Sequence, residues 1–367
     1  MIRVDHPSRH ERLRDGLREL GCEVAILVGP SFAAHLLGYQ RVWSGPIAQV
    51  VSVDGTTTAI VPLYEVEAAT GLMQVDEILP FGAPGFGLDP HIIDDLARVV
   101  AETVGARSAA IASDLPGPAA AIAARIGRSL EDAGPLLARI RLLKDADELR
   151  RLARAYELSL AGEAAVGRNS VPGVSEIELY SSAHSAAQIE AGSPVDFGAD
   201  LLVGPRTALV CGPVATPGLQ RAEYGDVVVA DVSVRHGGYW GDTARTFVVG
   251  ENPEAREVIA SIRDVLDQTA KLLCPGTKAH EVFDFIAAEI ALRHPGGEFP
   301  HHGGHGVGIT GYEPPHLVPG DETVLAEGMV FSVEPGVYFA GRFGVRRENM
   351  YAVTPDGGID LRDAYGS

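Results

Sequence analysis

Two apolar, β-branched runs flank a short turn in residues 225–250 (GDVVVADVSVRHGGYWGDTARTFVVG), and this pattern predicts a β-hairpin. Asp231 lies in the first strand and Asp242 in the second. The loop is either residues 236–237 or residues 235–238, and both choices have the same centre. Each choice therefore pairs Asp231 directly with Asp242. Because facing like charges destabilise a strand pair by up to about 1 kcal/mol, we expect a cation between these two carboxylates.

The composition narrows the classes of partner. The chain has 367 residues, 46% of them apolar and 22% charged, which suits a globular protein with more than one core. Its formal net charge of −19 argues against nucleic acid and against an anionic membrane, since both attract positively charged surfaces. We therefore expect neither partner.

Cysteine usage and the N-terminal segment predict a cytoplasmic protein. The three cysteines, at positions 22, 211 and 274, have no disulfide or zinc-site spacing, which is typical of a reducing compartment. The charged N-terminal segment (MIRVDHPSRHERLRDG) lacks the apolar region of a signal peptide. No stretch approaches the roughly 20 apolar residues that span a bilayer.

Residues 1–143 are predicted to form an α/β unit. Helical periodicity covers residues 9–20 and 90–104, and apolar runs at 22–28 and 108–112 read as strands. Asp54-Gly55 marks a hairpin between residues 49–53 and 57–61. Three residues with pocket-lining potential lack any catalytic spacing, and we interpret them as core or interface residues: His35, Tyr39 and Trp43.

A second domain, residues 144–367, begins with a predicted capping box between Asp145 and Glu148. Two helices joined by a Pro-Gly turn, strands near 201–203 and 208–210, and the hairpin above complete its first half. The same order of two helices and then strands recurs from Pro253 to the end of the sequence. This recurrence predicts an internally duplicated α+β domain. It rests on element order, since the residue identities do not repeat.

Three glycine-rich segments carry further polar residues: 299–308 (FPHHGGHGVG), 328–336 (GMVFSVEPG) and 344–349 (GVRREN). Glu334 and Glu348 are equidistant from Gly341, so a hairpin with a loop at 340–342 would place them opposite each other. Glycines around His305 let the backbone approach closely and position its ring. Taken singly, each carboxylate is more simply interpreted as a solvated or ion-paired residue. Only the combination of these residues indicates a metal centre.

Four carboxylates and one imidazole suit two divalent cations bridged by carboxylates. Oxygen-rich ligation with one imidazole is compatible with Mn²⁺, Fe²⁺, Co²⁺ and Zn²⁺, and the sequence does not select among them. The predicted ligands are Asp231, Asp242, His305, Glu334 and Glu348.

These stretches resemble the creatinase/aminopeptidase "pita-bread" metallopeptidase family, which includes methionine aminopeptidases, Xaa-Pro aminopeptidases and prolidases. The segment GCEVAILVGPSFAAHLLGY is similar to the N-terminal domain of creatinase-type members. The resemblance implies a pita-bread catalytic domain preceded by that α/β domain. It also implies that the five residues above bind two metals, that Glu334 moves the proton of the attacking water, and that the chain forms a homodimer.

The chain departs from the peptidases of this family at two histidine positions. One upstream histidine would fall in residues 211–214, which contain none, and Tyr312 occupies the position of the other. In the peptidases these histidines bind the scissile amide. A phenol can donate a hydrogen bond but carries protons poorly near neutral pH, since its pKa is near 10. The resemblance offers His301 and His302 as replacements, since the family often has a histidine four residues before the metal ligand, and Arg346 matches a family arginine near the site. The catalytic candidates are Glu334, Tyr312, His301 and Arg346.

Three functions remain compatible with this pattern. The first is a dinuclear metal-dependent hydrolase of amide or other C–N bonds, similar to Xaa-Pro dipeptidases and aminopeptidases and acting on a dipeptide-sized or other small substrate. The second is a non-peptidase relative: an amidinohydrolase, a cyclic-amidine hydrolase, or a metal-dependent lyase or rearrangement enzyme. The third is an inactive binding module, which the complete ligand set argues against. The complete water-activating set favours the first.

Overall fold

The computed structural model describes residues 8–39, 45–83, 89–209 and 216–366. The chain divides between Arg141 and Leu142 into two compact units, an N-terminal unit and a C-terminal unit. Among the described helices, none is both long enough and apolar enough to cross a membrane.

The N-terminal unit is an α/β structure, as predicted. Its strands form one mixed sheet in the order β4-β3-β2-β1-β5-β6. The helices are α1 (Arg9–Glu19), α2 (Pro30–Leu37), α3 (Val66–Leu72), α4 (Ile92–Val104), α5 (Pro116–Ile126) and α6 (Gly134–Leu142). The strands are β1 (Val24–Val28), β2 (Ala48–Ser52), β3 (Thr57–Pro62), β4 (Glu77–Phe81), β5 (Ala109–Ser113) and β6 (Glu131–Asp132).

Both faces of this sheet are buried. Leu27 of β1 packs in a core with residues of α1 and α2, whereas its neighbour Ile26 packs in a second core with residues of α4. Such a two-sided strand explains why residues 24–28 are apolar without alternation. His35 and Tyr39 are buried, in keeping with their interpretation as core residues. Trp43 lies outside the described residues.

The C-terminal unit repeats two helices followed by antiparallel strands, which confirms the predicted α+β class. Its helices are α7 (Ala146–Asn169), α8 (Glu176–Ala191), α9 (Pro253–Ala270), α10 (Ala279–Arg293) and α11 (Leu361–Tyr365). Its strands are β7 (Asp196–Val203), β8 (Val227–His236), β9 (Tyr239–Val248), β10 (Gly304–Gly306), β11 (Glu313–Leu317), β12 (Val330–Val333), β13 (Gly336–Phe339), β14 (Phe343–Arg346), β15 (Asn349–Thr354) and β16 (Gly357–Asp360).

Local sequence signals determine where helix α7 begins and where strand β7 ends. The predicted capping box is present, with the Asp145 side chain accepting from the backbone N–H of Glu148 and the Glu148 side chain accepting in return. The predicted strand at 208–210 is wrong. Residues Gly204–Ala208 form a 3-10 helix, because Gly204 adopts a φ of +57° and Pro205 follows it, so β7 ends at Val203.

The β8–β9 hairpin has a different register from the predicted one. His236 pairs with Tyr239, so the turn is Gly237-Gly238. Both glycines have positive φ, +57° and +90°, as a two-residue type I′ turn requires. Asp231 therefore faces Ala244, and the predicted direct pairing of Asp231 with Asp242 is wrong by two residues. A loop at 236–237 would have forced a histidine into that left-handed region.

A two-residue shift preserves the side-chain parity of a strand, so Asp231 and Asp242 still share one face of the sheet, as diagonal neighbours. Directly opposite Asp242 lies Ser233. On its other side β8 pairs with β7, and there Asp231 directly faces Asp200.

The register of the second hairpin is as predicted. Phe339 pairs with Phe343, so the loop is centred on Gly341, which has a φ of +72°. Strands β12 and β15 continue the same register, with Val333 opposite Asn349. Glu334 and Glu348 lie between these two paired regions, and the Glu348 N–H donates to Ala244 O at 2.9 Å, which connects this hairpin to β9.

Candidate metal centre

A polar pocket of about 220 Å³ lies within the C-terminal unit. Its lining includes all five predicted ligands: Asp231, Asp242, His305, Glu334 and Glu348. Strands β7, β8 and β9 contribute one wall, and the segments around β10 and the second hairpin contribute the other. The lining also contains Tyr312, Arg346 and His302, and two polar residues that the sequence did not single out, Asp200 and Ser233.

Three of the ligand candidates form a compact group. One ligand atom each from Asp242, His305 and Glu348 lies within 4.8 Å of the other two, and all three residues are buried. Convergence of two carboxylates and one imidazole at this spacing is typical of a divalent metal site.

The ring of His305 is oriented for metal binding. Its Nδ1 lies 3.0 Å from the carbonyl oxygen of Gly306, which can only accept, so Nδ1 carries the proton. The Nε2 atom is then a free lone-pair donor, 3.8 Å from Asp242 Oδ2 and 3.7 Å from Glu334 Oε1. A side chain at Gly304 would meet the Ser332 carbonyl oxygen at 2.1 Å, so only glycine lets β10 approach β12 this closely.

Serine hydroxyls hold two of the carboxylates. Ser233 Oγ donates to Asp242 Oδ1 at 2.9 Å, and Ser332 Oγ donates to Glu348 Oε1 at 2.5 Å. The second oxygen of Glu348 is buried and has no hydrogen-bond partner among the residues that the structure describes. A buried carboxylate oxygen without a partner is costly unless a cation binds it.

Asp231 lies beside a guanidinium. Arg346 Nη1 donates to Asp231 Oδ2 at 2.5 Å, and Arg346 Nε donates to Tyr338 Oη at 2.8 Å. The Tyr338 hydroxyl in turn donates to His301 Nε2 at 2.9 Å, while His301 Nδ1–H donates to the His302 carbonyl oxygen at 2.8 Å. His301 thus lies behind the pocket, and the imidazole that lines it is that of His302.

Glu334 has an imidazole neighbour. His302 Nδ1 lies 3.1 Å from Glu334 Oε1, although the contact lacks hydrogen-bond geometry. Burial alone would raise the pKa of Glu334, but His302, His301 and Arg346 outweigh burial and hold that pKa at about 2. Glu334 is therefore ionised.

The pKa values of the other three carboxylate candidates are raised, not lowered. Burial raises the pKa of Asp231 to about 6, even though Arg346 opposes the shift. Burial, followed by repulsion from neighbouring carboxylates, raises the pKa values of Asp242 and Glu348 well above the ordinary range. Such a group can be fully ionised only beside additional positive charge. Together with the unpartnered oxygen of Glu348 and the free Nε2 of His305, this shows that the residues present fit divalent cations.

Tyr312 lies at the mouth of the pocket. Its ring centroid is 4.1 Å from that of His305, and 66% of the residue is exposed. Desolvation of its hydroxyl and the nearby carboxylates raise the pKa of Tyr312 above its ordinary value, so the phenol is a hydrogen-bond donor. The other departure from the family, at residues 211–214, lies outside the described residues.

Sequence reasoning missed Asp200 and Ser233 for different reasons. Of the two adjacent histidines that it offered, the pocket lining contains His302 and not the catalytic candidate His301. Ser233 is signalled only by the corrected hairpin register, since it is the residue opposite Asp242. Asp200 is signalled only by the pairing of β7 with β8.

The family model of metallopeptidase family M24 matches residues 150–355. An Xaa-Pro dipeptidase of Pyrococcus furiosus is 32% identical over 220 residues, which are 59% of this chain and 62% of that protein. The chain spans between 60% and 64% of the length of the curated relatives it matches.

Two solved structures resemble nearly the whole chain. The prolidase from Pyrococcus horikoshii OT3 has a TM-score of 0.82 at 23% identity, covering 96% of this chain and 97% of that one. The Xaa-Pro dipeptidase from Bacillus anthracis has a TM-score of 0.81 at 25% identity, with 96% of each chain covered. The family match spans more than half of the sequence and contains every predicted ligand. The chain belongs to metallopeptidase family M24, as the resemblance of its motifs predicted.

Proposed function

We propose that this chain is a metal-dependent hydrolase of small peptides, similar in action to Xaa-Pro dipeptidases and using two divalent cations. The observation that carries the proposal is the pocket that contains all five predicted ligands, with the buried Glu348 Oε2 lacking a hydrogen-bond partner in the described parts of the chain. Membership of family M24 and similarity to the Xaa-Pro dipeptidases of Pyrococcus furiosus and Bacillus anthracis support the substrate class.

The five ligand candidates Asp231, Asp242, His305, Glu334 and Glu348 would hold the cations, for which Mn²⁺, Fe²⁺, Co²⁺ and Zn²⁺ are all suitable. Bound divalent cations polarise the scissile carbonyl and lower the pKa of water. The chain itself contributes positioning: Ser233 and Ser332 fix the orientation of Asp242 and Glu348, and the Gly306 carbonyl fixes the ring of His305.

Two residues contribute to the reaction directly in this proposal. Glu334, ionised beside His302, accepts a proton from the attacking water and passes it to the leaving nitrogen. Tyr312, protonated and exposed at the pocket mouth, donates a hydrogen bond to the carbonyl oxygen as negative charge develops there. Arg346 acts indirectly, through its hydrogen bond to Asp231. His301 acts indirectly too, because the Tyr338 hydroxyl connects it to Arg346.

The test is a metal-reconstitution assay. Protein stripped with a chelator is reloaded separately with each of the four cations and assayed on Ala-Pro, Leu-Pro, Gly-Pro and matched dipeptides without proline. We expect hydrolysis that requires the cation, and a decrease in kcat of roughly 10²-fold in Tyr312→Phe with KM little changed. Two bound equivalents with no cleavage of any peptide would favour a non-peptidase reaction. Less than one equivalent would favour a binding module.

We also propose a homodimer in the cytoplasm, with residues 1–143 as its creatinase-type N-terminal domain and residues 144–367 as its catalytic domain. Cys22 and Cys274 are free thiols, as a reducing compartment favours. Light scattering of purified protein and fractionation of expressing cells test these two statements, and a monomeric mass or an extracellular location would refute them.

A further inference from the structure

Asp200 lines the pocket but is not among its predicted ligands. It belongs to β7, where it pairs directly with Asp231 of β8. Directly paired residues project from the same face of a sheet, with Cβ atoms roughly 5 Å apart. The side chain of Asp200 therefore shares a face with Asp231.

Asp200 also lies on a different strand from Asp242 and is not adjacent to it. The strand order is β7-β8-β9, so Asp200 and Asp242 are on opposite sides of the strand that carries Asp231. Neighbouring strands are roughly 4.8 Å apart, which separates the strands of Asp200 and Asp242 by about 10 Å. Asp200 thus lies at the β7 edge of the sheet that forms one wall of the pocket, two strands from Asp242, at a distance that a substrate side chain or terminus can span.

Positive charge in the described lining is scarce. Five of the lining residues are Asp or Glu, and the one Arg or Lys among them is Arg346. Arg346 already donates to Asp231 and Tyr338. Within the described parts of the chain, no hydrogen bond or ion pair involves the Asp200 carboxylate, which interacts with Arg346 only through the longer-range field.

This carboxylate is half-buried in the pocket lining. A half-buried carboxylate without a direct partner is stabilised when a cation enters beside it. The pocket therefore offers a carboxylate without a direct partner at the β7 edge of this sheet, on the far side of Asp231 from Asp242.

We propose that Asp200 binds a positively charged group of the substrate, an ammonium or a guanidinium, and makes the pocket selective for cationic peptides. This inference rests on the proposed peptidase function. It assigns Asp200 to substrate recognition and predicts that removing its charge changes substrate preference without changing metal content.

The experiment compares arginyl-proline with citrullinyl-proline, which has nearly the same shape but an uncharged side chain. Both are assayed with wild-type enzyme, Asp200→Asn and Asp196→Asn. Asp196 carries the same charge on the same strand, lies outside the pocket lining and pairs with Arg235 at 3.7 Å, so it is the matched control. We expect Asp200→Asn to raise KM for arginyl-proline by roughly 10- to 100-fold, with kcat and bound metal unchanged.

The experiment distinguishes binding of the substrate's charged side chain from binding of its α-ammonium group. If the side chain is bound, citrullinyl-proline is insensitive to Asp200→Asn. If the α-ammonium is bound, both peptides weaken equally, whereas the inhibition constants of their N-acetyl derivatives stay the same. An equal loss for every peptide and derivative, or a loss of bound metal, would overturn the inference in favour of a structural or metal-binding role.

Failure of the proposed function is separable from failure of this inference. If the wild-type enzyme cleaves neither peptide, calorimetric binding of arginyl-proline to the metal-loaded protein replaces the kinetic measurement. Tighter binding to wild type than to Asp200→Asn would then support the inference while the peptidase proposal fails. Equal binding to both proteins would refute it.

Discussion

The β8–β9 hairpin and the hairpin of β13 and β14 each supply two carboxylates to the pocket. In each hairpin, one carboxylate lies beside a basic side chain and the other accepts a hydrogen bond from a serine. Asp231 and Glu334 lie beside Arg346 and His302, at 2.5 Å and 3.1 Å. The other two, Asp242 and Glu348, each accept one serine hydroxyl, at 2.9 Å and 2.5 Å.

This difference has an electrostatic consequence. A positively charged neighbour lowers the free energy of an ionised carboxylate, whereas a serine orients a carboxylate and leaves its second oxygen available. The pKa values follow this division, at about 2 for Glu334 and about 6 for Asp231, and well above the ordinary range for Asp242 and Glu348. We therefore expect Asp242 and Glu348, the serine-bound pair, to depend most on bound cations.

The largest expected effect is that of removing a serine-bound ligand. Glu348→Gln should bind at least one equivalent less metal and lose about 10³-fold or more in kcat/KM, since metal ions contribute several kcal/mol to transition-state stabilisation. Elemental analysis and steady-state kinetics measure both quantities. Asp242→Asn should behave alike. A fully metallated, active Glu348→Gln enzyme would contradict the expectation that the serine-bound pair depends most on bound cations.

Removing the guanidinium of Arg346 should lower the stability of the fold more than it lowers metal binding. Arg346→Met leaves a buried charge unpaired, and we expect the free energy of unfolding of the metal-free protein to fall by about 3 kcal/mol. Added metal should reduce this cost, because cations beside Asp231 replace part of the lost charge. Denaturant titrations with and without Mn²⁺ measure both values.

The matched control for this variant is Arg342→Met. Arg342 forms an exposed ion pair with Glu254 at 2.6 Å, and its loss should cost about 1 kcal/mol or less with or without metal. If the cost of Arg346→Met were equally large in the metal-loaded protein, Arg346 would have a purely structural role.

The serines should influence metal affinity moderately. Ser332→Ala and Ser233→Ala each remove a hydrogen bond that orients a ligand carboxylate, and changes of this kind cost roughly 10- to 100-fold in metal affinity. Competition with a chelating dye measures the affinity. Ser181→Ala, on the exposed surface of α8, serves as the control. Unchanged affinity in both pocket variants would mean that the carboxylates are oriented by their backbones alone.

The smallest effects are expected at the two turns. Gly237→Ala and Gly341→Ala each put a side chain at positive φ, +57° and +72°, which costs roughly 1–2 kcal/mol. A Cβ at Gly341 would meet no atom within 4 Å, so its cost is purely conformational, and Gly341→Asn should recover part of it. Chemical denaturation measures these costs, and an Asn variant as destabilised as the Ala variant would argue for a steric cause instead.

The two hairpins also show how far a sequence predicts register. The second hairpin has a single turn glycine midway between its two glutamates, so symmetry about Gly341 was enough to predict the register. In the first hairpin two glycines adjoin a histidine, and moving the loop from 236–237 to 237–238 shifts the strand pairing by two residues. The φ values of Gly237 and Gly238 select the actual turn, which places Ser233 opposite Asp242.

From the sequence alone, the family, the α+β class, the α/β character of the N-terminal unit and the five candidate ligands could be predicted. These depend on local signals: hydrophobic periodicity, capping residues, turn glycines, and motifs in which the functional residue adjoins its glycines. Only the tertiary structure decided which residues neighbour those ligands. Arg346 beside Asp231, Ser332 beside Glu348 and Asp200 opposite Asp231 are contacts between segments distant in sequence. Strand pairing and packing over the whole unit determine such contacts, so no local pattern encodes them.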